Sequence, residues 1–206
     1  QPARALGMTA LAMLAAGFPL ALMQSDAHQQ PFAGYGALGW AVFAVLGVRT
    51  LLCLRQGGDG VARIAQFLWW LLWPSLLSLL ALWGGGTVHL AQGWSALLVT
   101  LPWLLLAALS LWRWAWLRWP LGDAFDAARV ALQSVVFGVL ACAWWIGISL
   151  AGDATPLPWL PVLNPAELAQ WLSLLLAARW LFGSQAPALL QRLRVPLLAL
   201  AGFIAL

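Results

Sequence analysis

The sequence has very little charge for its length. Only 8% of its 206 residues are charged and 64% are hydrophobic, whereas a soluble domain carries roughly a quarter charged residues. Too few polar side chains remain to cover the surface of a soluble fold. Apolar runs close to the ~20 residues that cross a bilayer core recur along the whole chain. The composition excludes an ordinary soluble domain and predicts a multi-pass membrane protein.

Lysine is absent, and all ten basic residues are arginines scattered in ones and twos between apolar runs. A formal net charge of +4 spread in this way does not form the basic patch that phosphate backbones need. We therefore expect no nucleic-acid partner. The expected partners are the lipid bilayer, further spans of the same longer chain, and membrane subunits.

Cysteine is scarce, and the sequence motifs of catalysis are missing. Cys53 and Cys142 both fall inside apolar runs, which favours small buried hydrophobes over a disulfide framework or a thiolate metal site. No acidic residue lies in the middle of an apolar run, so the usual proton or cation relay of a transporter has no carrier. No Walker loop, HExxH or GxSxG is present. We expect no cofactor and no metal, and the absences weigh against an enzyme.

The apolar runs predict an all-α transmembrane helical bundle that forms a single region over residues 1–206. Six full spans are predicted at residues 5–23, 37–54, 64–83, 94–112, 130–150 and 165–182, followed by a truncated seventh at 195–206. A run of that final length reaches only about 18 Å at 1.5 Å per residue and cannot span. We therefore expect the chain to be a piece of a longer protein, cut inside its last helix.

Local patterns predict where several spans begin or end. The triple glycine at residues 84–86 should end the third span. The Trp- and Arg-rich residues 110–120 suit the headgroup zone and should lie along the membrane surface. Asp123 should cap the next helix with Asp126 in its first turn. Asn164, with proline next and Glu167 three residues on, predicts an N-cap and a capping box.

The arginines predict the orientation of the chain. If the segment before the first span is cytoplasmic, every even-numbered connection carries arginine and every odd-numbered one lacks it. The arginines in these connections are Arg55, Arg63, Arg113, Arg118, Arg129, Arg192 and Arg194. We therefore expect an inner-membrane protein whose N-terminal side is cytoplasmic. His28, His89, Asp26, Asp153 and Glu167 then fall on the opposite side.

Four residues are candidate contacts for a substrate or partner. Arg49 and Arg179 lie inside apolar runs, where charge is expensive and tends to face a bundle interior; the alternative is that they snorkel to the nearby cytoplasmic surface. His28, in Ser25-Asp26-Ala27-His28, has the neighbours of a hydrolytic triad, and with His89 it could bind a metal or carry protons. Solvated loops are the alternative for both histidines.

Polar residues and prolines inside the spans allow two interpretations each. The uncharged polar side chains more often hold helices together than bind a substrate. They are Gln66, Gln133, Ser134, Gln170 and Ser173. Pro74 and Pro102 could mark broken helices of the transporter type, although kinks filled by neighbouring helices are commoner.

The proline-rich loop and the helix start after it carry a resemblance. Pro156-Leu157-Pro158-Trp159-Leu160-Pro161-Val162-Leu163-Asn164-Pro165-Ala166-Glu167-Leu168 resembles the loop of a family of very large bacterial predicted membrane proteins, the domain of unknown function numbered 2339. The resemblance implies a fragment of a larger bacterial inner-membrane protein. That family has no established activity, so the resemblance assigns no site residue.

Three functional hypotheses follow from the sequence. The first is a multi-span inner-membrane protein that transports or handles envelope or lipid-linked material, with the arginine-bearing spans as interior contacts. The second is a membrane-embedded envelope enzyme of the glycan transferase or ligase type that uses residues of the outer loops. The third is a structural membrane scaffold.

Overall fold

The structure, a computed structural model, describes residues 2–55, 60–149, 153–155 and 164–204, and these residues form helices and no strands. The helices are α1 (Pro2–His28), α2 (Gly36–Leu54), α3 (Gly60–Thr87), α4 (Gln92–Trp112), α5 (Trp114–Arg118), a 3-10 helix (Gly122–Ala128), α6 (Arg129–Ile148), α7 (Pro165–Leu181), α8 (Ala188–Arg192) and α9 (Arg194–Ile204). Among the described residues, five stretches are long and apolar enough to cross a membrane: most of α1, then α2, α3, α4, and the 3-10 helix together with α6. The predicted all-helical class is confirmed, and the five apolar stretches are consistent with a multi-pass membrane protein.

The two remaining predicted spans correspond to shorter helices. Helix α7 has 17 residues and α9 has 11, and at 1.5 Å per residue α7 extends about 25 Å. The count of six full spans and a truncated seventh therefore stays a prediction. The proline-rich residues 156–163, which carry the family resemblance, lie outside the described residues.

Two predicted helix ends are wrong. Helix α1 continues to His28, past the expected end at residue 23, and α3 runs through the triple glycine to Thr87. Glycine is tolerated in membrane helices more than in soluble ones. Thr87 also donates its hydroxyl to the Gly84 carbonyl at 3.0 Å, which satisfies one terminal acceptor of the helix. Pro19, Pro74 and Pro102 all lie inside continuous helices.

The chain divides into two compact units, and the first contains residues 1–83 and 113–128. Side chains of α1, α2 and α3 share two apolar clusters, one around Leu51 and Trp69 and one around Trp40 and Leu72. A Cβ added to Gly47 would lie 2.2 Å from the Trp69 ring. The indole of α3 therefore packs directly on the backbone of α2, and only glycine leaves room for it.

The second unit contains residues 84–112 and 129–206. Helices α4, α6 and α7 pack against one another, and α9 packs on α7. Gln133, fully buried on α6, donates to the Ser110 carbonyl of α4 at 3.0 Å, as the prediction that polar residues join helices requires. Asn164 caps α7, because its side-chain oxygen accepts from the Ala166 N–H at 3.0 Å and proline follows it.

The prediction of buried cysteines is wrong. Cys53 and Cys142 are both free and exposed on the surface of their helices. In a bilayer the lipid around an exposed helix face is apolar, so a cysteine side chain is not driven into the protein interior by the hydrophobic effect. Both thiols face outward from the chain.

Candidate functional site

The loop between α1 and α2 in the first unit is held in place by side chains of both helices. The indole N–H of Trp40 donates to the Pro31 carbonyl at 2.9 Å, and the Gln24 amide donates to the Ala33 carbonyl at 3.3 Å. Gln29 and Gly34 have left-handed φ values of 64° and 55°, which let the chain turn tightly. These hydrogen bonds therefore hold the loop in a defined conformation at one end of the α1–α2 pair.

A pocket of about 440 Å³ lies beneath this loop. Leu20, Gln24 and His28 line it from α1, and their spacing of four residues places them on one helical face. The remaining lining residues come from the loop and from α2: Ala33, Gly34, Tyr35, Gly36, Gly39, Trp40 and Phe43. The volume is within the range of small-molecule sites, about 300–1,000 Å³.

A second pocket, of about 220 Å³, continues from the first along the same two helices. Gly39 and Phe43 line both pockets, and a Cβ built on Gly39 has no heavy atom within 4 Å. The other lining residues are Ala10, Met13, Leu14, Val42, Leu46, Gly47 and Thr50. The two pockets together are called the α1–α2 groove.

The α1–α2 groove changes in polarity along its length. Near the loop it is lined by an amide, an imidazole and a phenol, from Gln24, His28 and Tyr35. Further along, the lining is apolar apart from Thr50, whose hydroxyl donates to the Leu46 carbonyl of its own helix at 2.7 Å. Such a site presents hydrogen-bonding groups at one end and apolar surface over the rest.

The triad-like neighbours of His28 do not assemble into a catalytic site. Ser25, Asp26 and His28 all lie in the last two turns of α1, and the Ser25 hydroxyl is buried without a hydrogen-bond partner in the described part of the chain. Asp26 and His28 are exposed, and no hydrogen bond joins any two of the three within the described ranges. Of this motif only His28 lines the groove.

His89 is placed differently. It lies just after α3 in the second unit, is exposed, and has a left-handed φ of 51°. Within the described residues, no three side chains of histidine, cysteine, aspartate or glutamate come together as metal ligands would.

Arg49 and Arg179 are both exposed, and neither lines the groove. Arg49 lies five residues before the end of α2 at Leu54, and Arg179 lies in the last turn of α7. A guanidinium near a helix C-terminus is favoured by the helix dipole and can reach the surface. Arg179 is placed to gain from the dipole, whereas Arg49 lies before the last turn of α2. Snorkelling of the two side chains stays a prediction.

The Trp- and Arg-rich segment is fastened to α3 by one fully buried glutamine. The Gln66 amide donates to the carbonyl of Leu117 at 2.6 Å and to those of the next two residues at 3.2 Å, and its oxygen accepts from the Leu121 N–H at 3.1 Å. The Trp70 indole also donates to Leu117 at 2.9 Å. Within residues 113–121, Trp116 and Trp119 remain exposed, so this stretch buries one face and presents two indoles on the other.

The predicted N-cap role of Asp123 is wrong. Asp123 lies in the first turn of the 3-10 helix, where it forms an ion pair with Arg118. Asp126 also contacts Arg118, at 3.3 Å, and accepts from the Trp114 indole at 2.6 Å. The Arg118 guanidinium therefore binds both carboxylates, and the Trp114 indole binds that of Asp126. These contacts replace the predicted capping of the following helix.

The second unit contains an apolar cavity of about 430 Å³ between α6, α7 and α9. Trp144, Trp145 and Trp180 contribute to its wall, and Phe137 stacks on Trp180 at 4.5 Å. Two serines, Ser134 and Ser173, are its hydroxyl-bearing lining residues. The cavity lacks the polar end that distinguishes the α1–α2 groove.

Of the candidate residues from the sequence, the groove includes His28 alone. Four other lining residues were not predicted from the sequence: Gln24, Tyr35, Gly39 and Trp40. For three of them the signal is helical spacing, because residues 20, 24 and 28 share one face of α1, and residues 36, 39, 40, 43 and 47 share one face of α2. Tyr35 precedes α2 and has no such signal. Comparison of the chain with the known protein families, with curated proteins and with solved structures finds no match.

Proposed function

We propose that the chain is a multi-span bacterial inner-membrane protein that binds and handles a lipid or lipid-linked envelope molecule in the α1–α2 groove. The observation that carries this proposal is the groove itself: it follows two helices that are each long and apolar enough to span a bilayer, and apart from Thr50 its polar side chains lie at one end. A molecule with a polar group attached to a long apolar chain matches that arrangement.

The exposure of the groove residues supports the same occupant. The floor is formed by buried residues such as Leu14, Trp40 and Gly47, while the rim residues Met13 and Leu20 are about half exposed, at 53% each. A rim of this kind is open to the surrounding bilayer, from which an acyl chain can enter sideways. Retention of the acyl chain then depends on its close packing in the α1–α2 groove, because a lipid chain gains no hydrophobic free energy by leaving the surrounding lipid.

The proposal includes a topology. Helix α7 is taken as the sixth span and α9 as part of a seventh, with the N-terminal side cytoplasmic and the arginine-bearing connections on that side. The loop end of the groove then faces the opposite side, where envelope material is assembled. Membership of the domain family of unknown function numbered 2339 belongs to the same proposal and rests on the pattern at residues 156–168.

A photoactivatable lipid tests the proposal. The purified protein is reconstituted with a phospholipid that carries a diazirine in its acyl chain, and labelled peptides are mapped after illumination. We expect enrichment at groove residues of α1 and α2. Gly39→Phe should abolish that enrichment, because the open space beside Gly39 would be filled.

The matched control is Ala41→Phe. This variant adds a side chain of the same kind to the same helix at an exposed position that does not line the groove. Its labelling should equal that of the unmodified chain. Uniform labelling along all the lipid-facing helices, unchanged by Gly39→Phe, would reject the groove as the binding site.

The enzyme hypothesis is favoured by one observation, the presence of His28 at the polar end of the groove. It requires that His28→Ala or His89→Ala abolish turnover of an envelope substrate, and full activity in both variants rejects it. The scaffold hypothesis is tested at the exposed Arg49 and Arg179. Loss of function on their substitution, with normal membrane insertion, favours transport or binding over scaffolding.

A further inference from the structure

The polar end of the α1–α2 groove contains an amide, an imidazole and a phenol. Its polar side chains are Gln24, His28 and Tyr35, and none of the described residues that line it is arginine, lysine, aspartate or glutamate. Asp26 is the acidic residue nearest in sequence, and it is exposed on α1 without lining the pocket. The hydrogen-bonding groups at this end are therefore those of an amide, an imidazole and a phenol, with no guanidinium, ammonium or carboxylate among the described lining residues.

That chemistry distinguishes between classes of headgroup. Phosphates and carboxylates are recognised by guanidinium or ammonium groups, which supply charge-assisted hydrogen bonds. Hydroxyl groups both donate and accept, and an amide, an imidazole and a phenol offer both functions too. Although the chain has ten arginines, none lies among the described residues that line this end.

From this we infer that the groove selects a lipid with a neutral, hydroxyl-rich headgroup, such as a glycosyl diacylglycerol, over an anionic phospholipid. This inference rests on the proposed function and specifies the substrate class of the same site. The loop contributes by fixing the polar end in place: the Trp40 and Gln24 bonds to the Pro31 and Ala33 carbonyls hold its backbone. Tyr35, 90% exposed at the rim, keeps its phenol available to a headgroup.

The test compares two lipids with identical acyl chains. The protein is incorporated in nanodiscs of phosphatidylcholine that contain equal amounts of a monoglucosyl diacylglycerol and phosphatidylglycerol. The lipids retained after detergent extraction are quantified by mass spectrometry. We expect several-fold enrichment of the glucolipid over phosphatidylglycerol in the unmodified chain, and no enrichment of either lipid in Gly39→Phe.

Tyr35→Arg provides the decisive variant. The side chain is almost fully exposed, so the substitution leaves the packing of the unit intact. A guanidinium at the rim should shift the ratio towards phosphatidylglycerol by about tenfold, the equivalent of one charge-assisted contact. Arg55→Gln changes an exposed cationic residue at the end of α2 that does not line the groove and should leave the ratio unchanged.

The two proposals fail in different ways. Equal or preferential retention of phosphatidylglycerol by the unmodified chain, still abolished by Gly39→Phe, overturns the headgroup inference and leaves the groove as a lipid site. Retention that Gly39→Phe does not alter overturns the groove, and the headgroup inference with it.

Discussion

At the scale of single residues, two glycines of α2 face different surroundings. Gly47 lies under the Trp69 ring, where an added Cβ would come within 2.2 Å of the nearest ring atom, whereas Gly39 meets open space. Gly47→Ala should therefore lower the free energy of unfolding by roughly 1–3 kcal/mol, the usual effect of overpacking. Gly39→Ala should change it by less than about 1 kcal/mol. Unfolding in mixed micelles measures both, and equal effects would contradict the packing described.

Asp153 provides a residue-scale prediction outside the spans. The hydroxyl of Thr155, followed by its backbone N–H, donates to the Asp153 carboxylate and holds the pKa of that group below its ordinary value of 3.8. A lowered pKa contributes stability that is present above pH 3.8 and is lost as the pH falls through the folded-state pKa. Thr155→Val should raise the pKa of Asp153 in a carboxyl NMR titration. No change would show that the hydroxyl does not bind the carboxylate.

At the scale of elements, Gln66 fastens the Trp- and Arg-rich segment to α3. Replacing it by leucine keeps the bulk of the side chain but leaves three carbonyls and the Leu121 N–H without this partner. We expect Gln66→Leu to destabilise the first unit by roughly 1–3 kcal/mol and to expose residues 113–121 to protease. Gln92→Leu, at an exposed position of α4, is the control. Identical stability and proteolysis in the two variants would refute the fastening role.

The start of α7 is the element boundary that sequence alone predicts best. Asn164, proline and Glu167 have fixed local roles at a helix N-terminus, and the cap bond to Ala166 is present. Asn164→Ala should cost about 0.5–2 kcal/mol of stability, while Asn164→Ser should retain more of it, because its hydroxyl can accept the cap bond without placing a charge at this buried position. Thermal unfolding of the two variants checks this; an equal loss in both would mean that the cap oxygen contributes nothing.

Other element ends could not be predicted because they depend on distant residues. Asp123 and Asp126 have the sequence of a helix start, yet Arg118 and Trp114 bind both carboxylates. The triple glycine continues a helix where local propensity predicts an end. In both cases tertiary contacts or the bilayer environment override the local signal.

At the scale of the whole molecule, composition and apolar run length were sufficient to predict an all-helical fold with helices long and apolar enough to span a membrane. The groove was not predictable in the same way, because it depends on which face of α1 meets which face of α2. The periodicity of residues 20, 24 and 28 is visible in the sequence, but the partner residues on α2 and the space left by Gly39 come from packing. His28 was identified by its residue type and its triad-like sequence neighbours, and not by the groove residues that surround it.

The central claim is that the α1–α2 groove retains a lipid, and native mass spectrometry tests it most directly. The unmodified chain and the two variants, Gly39→Phe and Ala41→Phe, are extracted from membranes under identical conditions and released from detergent in the spectrometer. We expect a bound lipid on the unmodified chain and on Ala41→Phe, and its loss from Gly39→Phe. The same lipid occupancy in all three proteins would contradict the claim.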